Sequence, residues 1–214
     1  MSISHSPSPS ASIRRAIVPL LFGVALWAAP QEPAPVFGTT VVVPDGLRGQ
    51  IYFLHRNTQK LPNFRRKKPA GTIYATSLNI PTQDFRNGFP GVTDRFEWFA
   101  IDYRGRFWIE HPGPYMFFLK SDDGSNLYID DRLIVNNDGI HTAREKTAAI
   151  ELSGGIHTIR VSYFQGPRWQ VALVLRIASP GEQPRVFSID DFKPRRVRST
   201  CAIPARHNNL YLRR

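Results

Sequence analysis

The stretch GPYMFFLKSDDGSNLYID, residues 113–130, decides the fold. Tyr115 to Lys120 is dense in aromatic and strand-forming residues. Leu127 and Ile129 alternate with Asn126 and Tyr128 on the far side of Ser121-Asp122-Asp123-Gly124-Ser125. Five small polar residues between two apolar runs make a turn by ordinary chemistry. Asp side chains bond backbone amides a residue or two further on, and Gly accepts a positive φ. The stretch therefore reads as strand, tight loop, strand.

The same pattern extends in both directions. Upstream, Phe99, Ile101 and Tyr103 alternate with Trp98, Ala100 and Asp102. Phe107 and Ile109 alternate with Arg106, Trp108 and Glu110. Arg104-Gly105 between them predicts a hairpin turn. Gly46 to Leu54 suits a first strand, Asn57 to Ala70 is a basic loop, and Gly71 to Leu78 is a short strand. Val36 to Pro44 is apolar and β-branched, and reads as a leading strand or part of a linker. Downstream, Leu133 and Val135 continue after a turn at Asp130-Asp131. Ala148 to Leu152 is closed by Gly154-Gly155. Ile159, Val161 and Tyr163 share a face, as do Val171, Leu173, Leu175 and Ile177. Many short strands with frequent turn signals predict an all-β antiparallel sandwich of jelly-roll type. No stretch shows a helical period over ten or more residues.

The 214 residues divide by composition. Residues 1–29 read as a signal peptide or N-terminal anchor. Arg14 and Arg15 precede the apolar stretch Ala16 to Ala29, which is too short for a typical membrane span. Residues 30–45 form a Pro-rich linker, 46–180 the sandwich and 181–214 a basic tail, with Val186 to Phe192 adding an edge strand or packing on the domain. Truncation after Pro180 is expected to leave folding intact. The reading implies export to the periplasm, the cell surface or the medium, with the N-terminal segment as an alternative anchor. The single Cys201 offers no intrachain disulfide, so the fold holds by packing.

Formal net charge is +11. Arg65, Arg66, Lys67 and Lys68 cluster in one loop. The tail carries Lys193, Arg195, Arg196, Arg198, Arg206, Arg213 and Arg214. Such runs attract anionic surfaces or a protein partner. No nucleic-acid motif accompanies them, and nucleic acid is not expected as a partner.

The candidate site is the acidic loop. Adjacent Asp122 and Asp123 repel each other unless donors or a cation neutralise them. Oxygen-rich loops of this kind suit hard cations, calcium above all. Asn136, Asn137 and Asp138 add oxygens. In the loop Gln165 to Gln170, Trp169 can stack on a sugar ring while polar neighbours bond its hydroxyls. Its alternative role is to cover the edge of the core. His141 and His157 lack partners at ligand spacing and read as structural. Hydrolysis by Asp122 and Asp123 is not expected, because adjacent residues on one loop do not flank a substrate from two sides.

Gly113-Pro114-Tyr115, Phe117, Ser121 to Ser125, Leu127 and Ile129-Asp130 are followed by Asn137, Gly139, His141, Leu152, Gly154-Gly155, His157, Ile159, Val161 and Tyr163-Phe164. In this order and spacing they resemble the PA-fourteen domain, the protective-antigen-type β-sandwich. Gly46 to Phe53 resembles that family's opening. The resemblance implies an extracytoplasmic, non-enzymatic carbohydrate-binding module. Its partner would be a glycan or envelope polysaccharide. It also implies a calcium ion held by Asp122 and Asp123, with Gln165 in the loop where the family's adhesins carry an Asn that this sequence lacks; Asn137 and Trp169, read from the residues above, complete the expected ligand site. The alternative is a structural or protein-interaction module of the cell envelope without a small-molecule ligand.

Overall fold

In a computed structural model, residues 37–168 and 170–194 are described. Eleven strands follow in chain order: β1 (Leu47–Phe53), β2 (Gly71–Ala75), β3 (Asn79–Asp84), β4 (Phe99–Ile109), β5 (Gly113–Asp122), β6 (Ser125–Ile129), β7 (Arg132–Asn137), β8 (Arg144–Leu152), β9 (Gly155–Gln165), β10 (Gln170–Ala178) and β11 (Arg185–Val186). Six make one sheet in the order β2-β1-β4-β9-β6-β7. A second sheet runs β11-β10-β5-β8, with β3 also paired to β10. Every registered pair is antiparallel. The two sheets face each other, and the expected antiparallel sandwich is what forms.

Alternation sends Leu47, Ile51, Phe99, Ile101, Tyr103, Val161 and Tyr163 inward from the first sheet. Phe117, Leu119, Leu173, Leu175 and Ile177 meet them from the second, all fully buried. Each such side chain contributes about 1.5–3 kcal/mol on leaving water. One end of the core is aromatic: Phe37 touches Phe85, Phe89, Phe99 and Tyr163 at centroid distances of 5.2, 5.7, 5.8 and 5.4 Å. The Tyr103 hydroxyl donates to the Phe37 carbonyl at 2.6 Å. Among the described residues of Val36 to Pro44, no strand forms. Thr39 makes a single antiparallel bridge to Tyr74.

The hairpin expected at Arg104-Gly105 does not exist. β4 runs unbroken through both residues, pairing with β1 on one side and β9 on the other. The reason lies in parity. Tyr103, Gly105 and Phe107 continue one inward face, so no reversal is needed to keep the apolar residues inside. Gly105 serves a close approach instead: a Cβ there would lie 2.8 Å from Leu47 Cδ2 and 3.0 Å from Ile189 Cδ1. A true two-residue turn does occur at Asp130-Asp131, where both residues have positive φ (48° and 60°) between β6 and β7.

The packed chain runs past Pro180. β11 pairs with β10, and a 3-10 turn follows over Ile189–Phe192. Phe187, Ile189 and Phe192 are buried in the main core, with Phe187 stacked on Phe192 at 5.3 Å and set edge-on to Phe107 at 5.6 Å. This segment both extends the sheet edge and packs on the domain.

The basic loop also has a place. Its 3-10 turn, Phe64–Arg66, lays Phe64 against Tyr52, Ala100 and Phe164 on the outer face of the six-stranded sheet. Residues 1–36, Trp169 and residues 195–214, Cys201 among them, lie outside the described residues.

Candidate functional site

The β5–β6 loop sits at one end of the sandwich. Ser121 and Ser125 close its base through their hydroxyls at 2.7 Å. Gly124 fits because nothing larger can: a Cβ would lie 2.3 Å from the Phe164 ring and 2.9 Å from the Gly139 nitrogen. The Gly124 carbonyl accepts the Phe164 amide at 2.9 Å. The peptide bond between Asp122 and Asp123 is cis.

The two carboxylates differ in kind. Asp123 is buried, 4% exposed. Its Oδ1 accepts the His141 amide at 3.0 Å and its Oδ2 the Gly166 amide at 2.8 Å. Asp122 is half-buried and accepts an amide from Ala143. Burial, and then the charge on Asp123, push the Asp122 carboxyl up to about 6. Burial also raises Asp123, against the pull of its two amide donors. Neither forms an ion pair with Lys or Arg among the described residues.

The other expected site residues gather around this loop, but their side chains are occupied. Asn137 is fully buried. Its amide nitrogen donates to Ser121 Oγ (3.0 Å) and to the Arg144 carbonyl (3.3 Å), and its Oδ1 accepts from Arg144 Nε (2.8 Å). Gln165 is buried, with Oε1 at 2.6 Å from the Tyr163 hydroxyl and Nε2 donating to the carbonyls of Pro167 and Gln170. The Tyr163 hydroxyl also lies 2.6 Å from the Asp122 carbonyl, and its one proton serves one oxygen at a time. Asn137 and Gln165 thus hold the loops in place and present no free amide to a guest. Trp169 lies outside the described residues.

Calcium takes six to eight oxygens. Here the side chains supply a carboxylate pair, whose oxygens keep further lone pairs beyond those given to amides. Among the described residues, no group of three or more His, Cys, Asp or Glu comes together as a ligand set. By chemistry the pair suits a hard cation, but any further oxygens would come from main-chain carbonyls, water or the guest.

Two rim residues escaped the sequence reading. Trp98 and Ile140 flank Gly166: a Cβ on that glycine would come within 3.6 Å of Trp98 Cζ3 and 2.5 Å of Ile140 Cδ1. Ile140 is 39% exposed. The Trp98 amide donates to the Gly166 carbonyl at 3.0 Å, and its φ of 54° takes it out of the strand pattern. That positive φ has no sequence signal, because Trp rarely adopts it.

The two histidines are structural in their contacts. His157 is buried, with Nδ1 at 2.6 Å from Asp130 Oδ2 and Nε2 at 2.9 Å from the Ser153 carbonyl. The His141 ring nitrogens face the Asn137 and Thr142 carbonyls at 2.8 and 2.9 Å.

The profile of the PA14 domain matches residues 45–187, and the chain belongs to that family. No curated protein matches in sequence. Among solved structures, an anti-sigma factor domain-containing protein is 21% identical, with a TM-score of 0.55 over 70% of this chain and 48% of that one. This chain therefore spans about half of that protein's length. A PA14 sugar-binding domain from an RTX adhesin is 17% identical, with a TM-score of 0.57 over 68% of this chain and 96% of that domain. The PA14 domain of the MpAFP antifreeze protein is 19% identical, with a TM-score of 0.56 over 75% and 93%. At these identities the likeness shows the shared fold.

Proposed function

We propose that this PA14-family chain is a carbohydrate-binding module whose guest sits at the rim between the Asp122–Gly124 loop, the Asp138–Ala143 loop and the segment after Gln165. The observation that supports it is the carboxylate pair. Asp122 is half-buried, carries no Lys or Arg partner among the described residues, and is held near 6 by burial and by its charged neighbour. A carboxylate so placed gains from hydroxyl donors or from a cation. Ile140 and Trp98 give the rim the apolar surface on which a sugar face can rest. Trp169 is proposed as a further stacking residue. The sugar-binding domain of the RTX adhesin, similar in fold, agrees with this reading.

Calcium is proposed as the assisting ion, with Asp122 and Asp123 holding it; it would neutralise the pair and polarise sugar hydroxyls. Export is proposed on the N-terminal Arg14-Arg15 and apolar segment. No helix among the described residues is long and apolar enough to cross a membrane.

A glycan array followed by calorimetry on the full chain, with and without calcium, tests the assignment. Binding to at least one neutral glycan is expected, and Asp122→Asn should weaken it by about tenfold, the worth of one charge-assisted hydrogen bond. No glycan bound in either condition, or unchanged binding by the variant, would sink the assignment. A chelator that leaves affinity untouched would remove calcium and leave direct hydroxyl recognition. The competing reading, a protein-interaction module, draws on the internal use of Asp123, Asn137 and Gln165. It predicts that a partner protein is captured while every glycan fails.

A further inference from the structure

The outer face of the six-stranded sheet carries a feature that the acidic loop does not explain. Register places Arg48 of β1 directly opposite Arg104 of β4, and Arg104 directly opposite Arg160 of β9. Three guanidinium side chains therefore stand in one row across three neighbouring strands. Like charges opposed in this way are about 5 Å apart at Cβ and destabilise a sheet. One carboxylate compensates part of the row. Asp102, 2% exposed beneath it, accepts Arg104 Nε at 2.9 Å and Arg160 Nε at 2.6 Å. Arg160 is further held by the rings of Tyr128 and Phe64, at 5.0 and 5.6 Å. Arg48, and Arg106 two residues along β4, form no ion pair among the described residues. A row that breaks the pairing rule with only partial compensation marks a functional face.

Arg48 and Arg104 of this row line an open groove of about 920 Å³, whose walls also include Gln50, Arg106, Trp108 and Ile156. Trp108 and Ile156 are opposed in register and form its apolar end; Ile156 is 63% exposed. A smaller cleft of about 210 Å³ shares Arg104 and is closed by Arg65 of the basic loop and by Arg160. Two acids line these spaces, Asp45 in the groove and Asp131 in the cleft. At its other end the groove reaches Lys193 and Pro194, after which the sequence continues with six arginines (Arg195, Arg196, Arg198, Arg206, Arg213 and Arg214) and no acid.

We propose that this face is a second binding site, for an acidic polysaccharide whose carboxylates pair with Arg48, Arg104 and Arg106 while a sugar ring packs on Trp108. Guanidinium groups match planar carboxylates through two parallel hydrogen bonds, and among the described residues Asp102 takes Arg104 through its Nε, which leaves the terminal nitrogens for this. A single indole beside an aliphatic residue suits one sugar face. Single-stranded nucleic acid uses a succession of aromatic platforms; Phe107 and Phe192 also line the groove but are buried in the core, which leaves Trp108 as the indole available for stacking.

The test uses the full chain and a fluorescent alginate oligomer, with polarisation as readout. Competitors are a neutral mannan oligomer, poly-glutamate and single-stranded DNA. The oligouronate should bind, with affinity falling as salt rises. Arg48→Gln/Arg106→Gln should weaken it by about tenfold or more without lowering the melting temperature, since it removes the like-charge opposition of Arg48 and Arg104. Trp108→Ala should weaken it severalfold, and Asp122→Asn should have no effect, which separates this site from the acidic loop. Equal binding of the neutral oligomer, or stronger competition by poly-glutamate or DNA, would overturn the proposal. So would a double variant that binds like the parent, whether or not a chain ending at Pro194 has lost binding to the tail.

Discussion

Asp122 and Asp123 are adjacent in sequence and both raised by burial, but Asp123 holds two main-chain amides where Asp122 holds one. Asp122 has a folded pKa of about 6 against an ordinary 3.8. Between these values the folded chain holds a proton that the unfolded chain has released. Its contribution to stability therefore falls as pH rises from about 4 to about 6. Asp122→Asn keeps an acceptor for the Ala143 amide and removes the charge. It should stabilise the chain at neutral pH by about 1 kcal/mol, discounted for its partial exposure, and flatten the slope. Asp123→Asn should do the reverse. An amide accepts through one atom only, so either the part-buried His141 amide or the buried Gly166 amide loses its partner, at a cost of about 1–3 kcal/mol, partly offset by removing a buried charge. Melting curves of both variants from about pH 4 to pH 8 would show the opposite signs, and destabilisation by both would refute the assignment of Asp122 as the uncompensated member. Gly124→Ala should cost about 2–3 kcal/mol, because its methyl would meet the Phe164 ring and the Gly139 backbone, which cannot both withdraw.

At the scale of elements, β4 and the segment after Pro180 carry the lesson. β4 reads as two strands because glycine commonly signals a turn, yet its inward parity is unbroken, β9 binds it along its whole length and β1 pairs with it from Phe99 to Arg104. Chain reversal and close packing use the same residue, and only the partner strands distinguish them. The segment Arg185 to Phe192 looks like the start of a basic tail, because charge dominates its neighbours. Phe187, Ile189 and Phe192 nonetheless fill the core. A chain ending at Pro180 should lose at least about 5 kcal/mol from Phe187, Ile189 and Phe192 together, comparable to a small domain's whole stability. One ending at Pro194 should fold. Limited proteolysis and circular dichroism of the two truncations decide between this and the sequence expectation that the cut at Pro180 leaves folding intact.

At the scale of the molecule, stability should have an acidic optimum. His157 is raised: burial opposes its charge, but Asp130 and the Ser153 carbonyl outweigh it. That stabilisation is present below the unfolded value of 6.5 and is lost as pH rises through the folded one. Asp130 is lowered: burial works against it, and the hydrogen bonds from His157 and Thr158 prevail. Its contribution is lost only as pH falls below about 4. Together with Asp122, these groups place the maximum between about pH 4 and pH 6, and denaturant titrations across pH should show a decline toward pH 8. His157→Gln should remove the part of that decline above about pH 6.

The sequence by itself determined the sandwich, because alternation with period two forces apolar residues to one side of every strand. It also determined the position of the acidic pair, because adjacent residues stay together in any fold. Tertiary structure alone decided which members of the expected site are available. Asn137 faces Ser121 of β5 and Arg144 of β8, and Gln165 is taken up by the Tyr163 hydroxyl and the carbonyls of Pro167 and Gln170 in the folded loop, which leave neither an amide to offer a guest. It alone aligned Arg48, Arg104 and Arg160, which are more than fifty residues apart along the chain and become neighbours only through strand register. Local pattern fixes which side a residue faces, while the identity of its cross-strand neighbour depends on pairings that no local pattern contains.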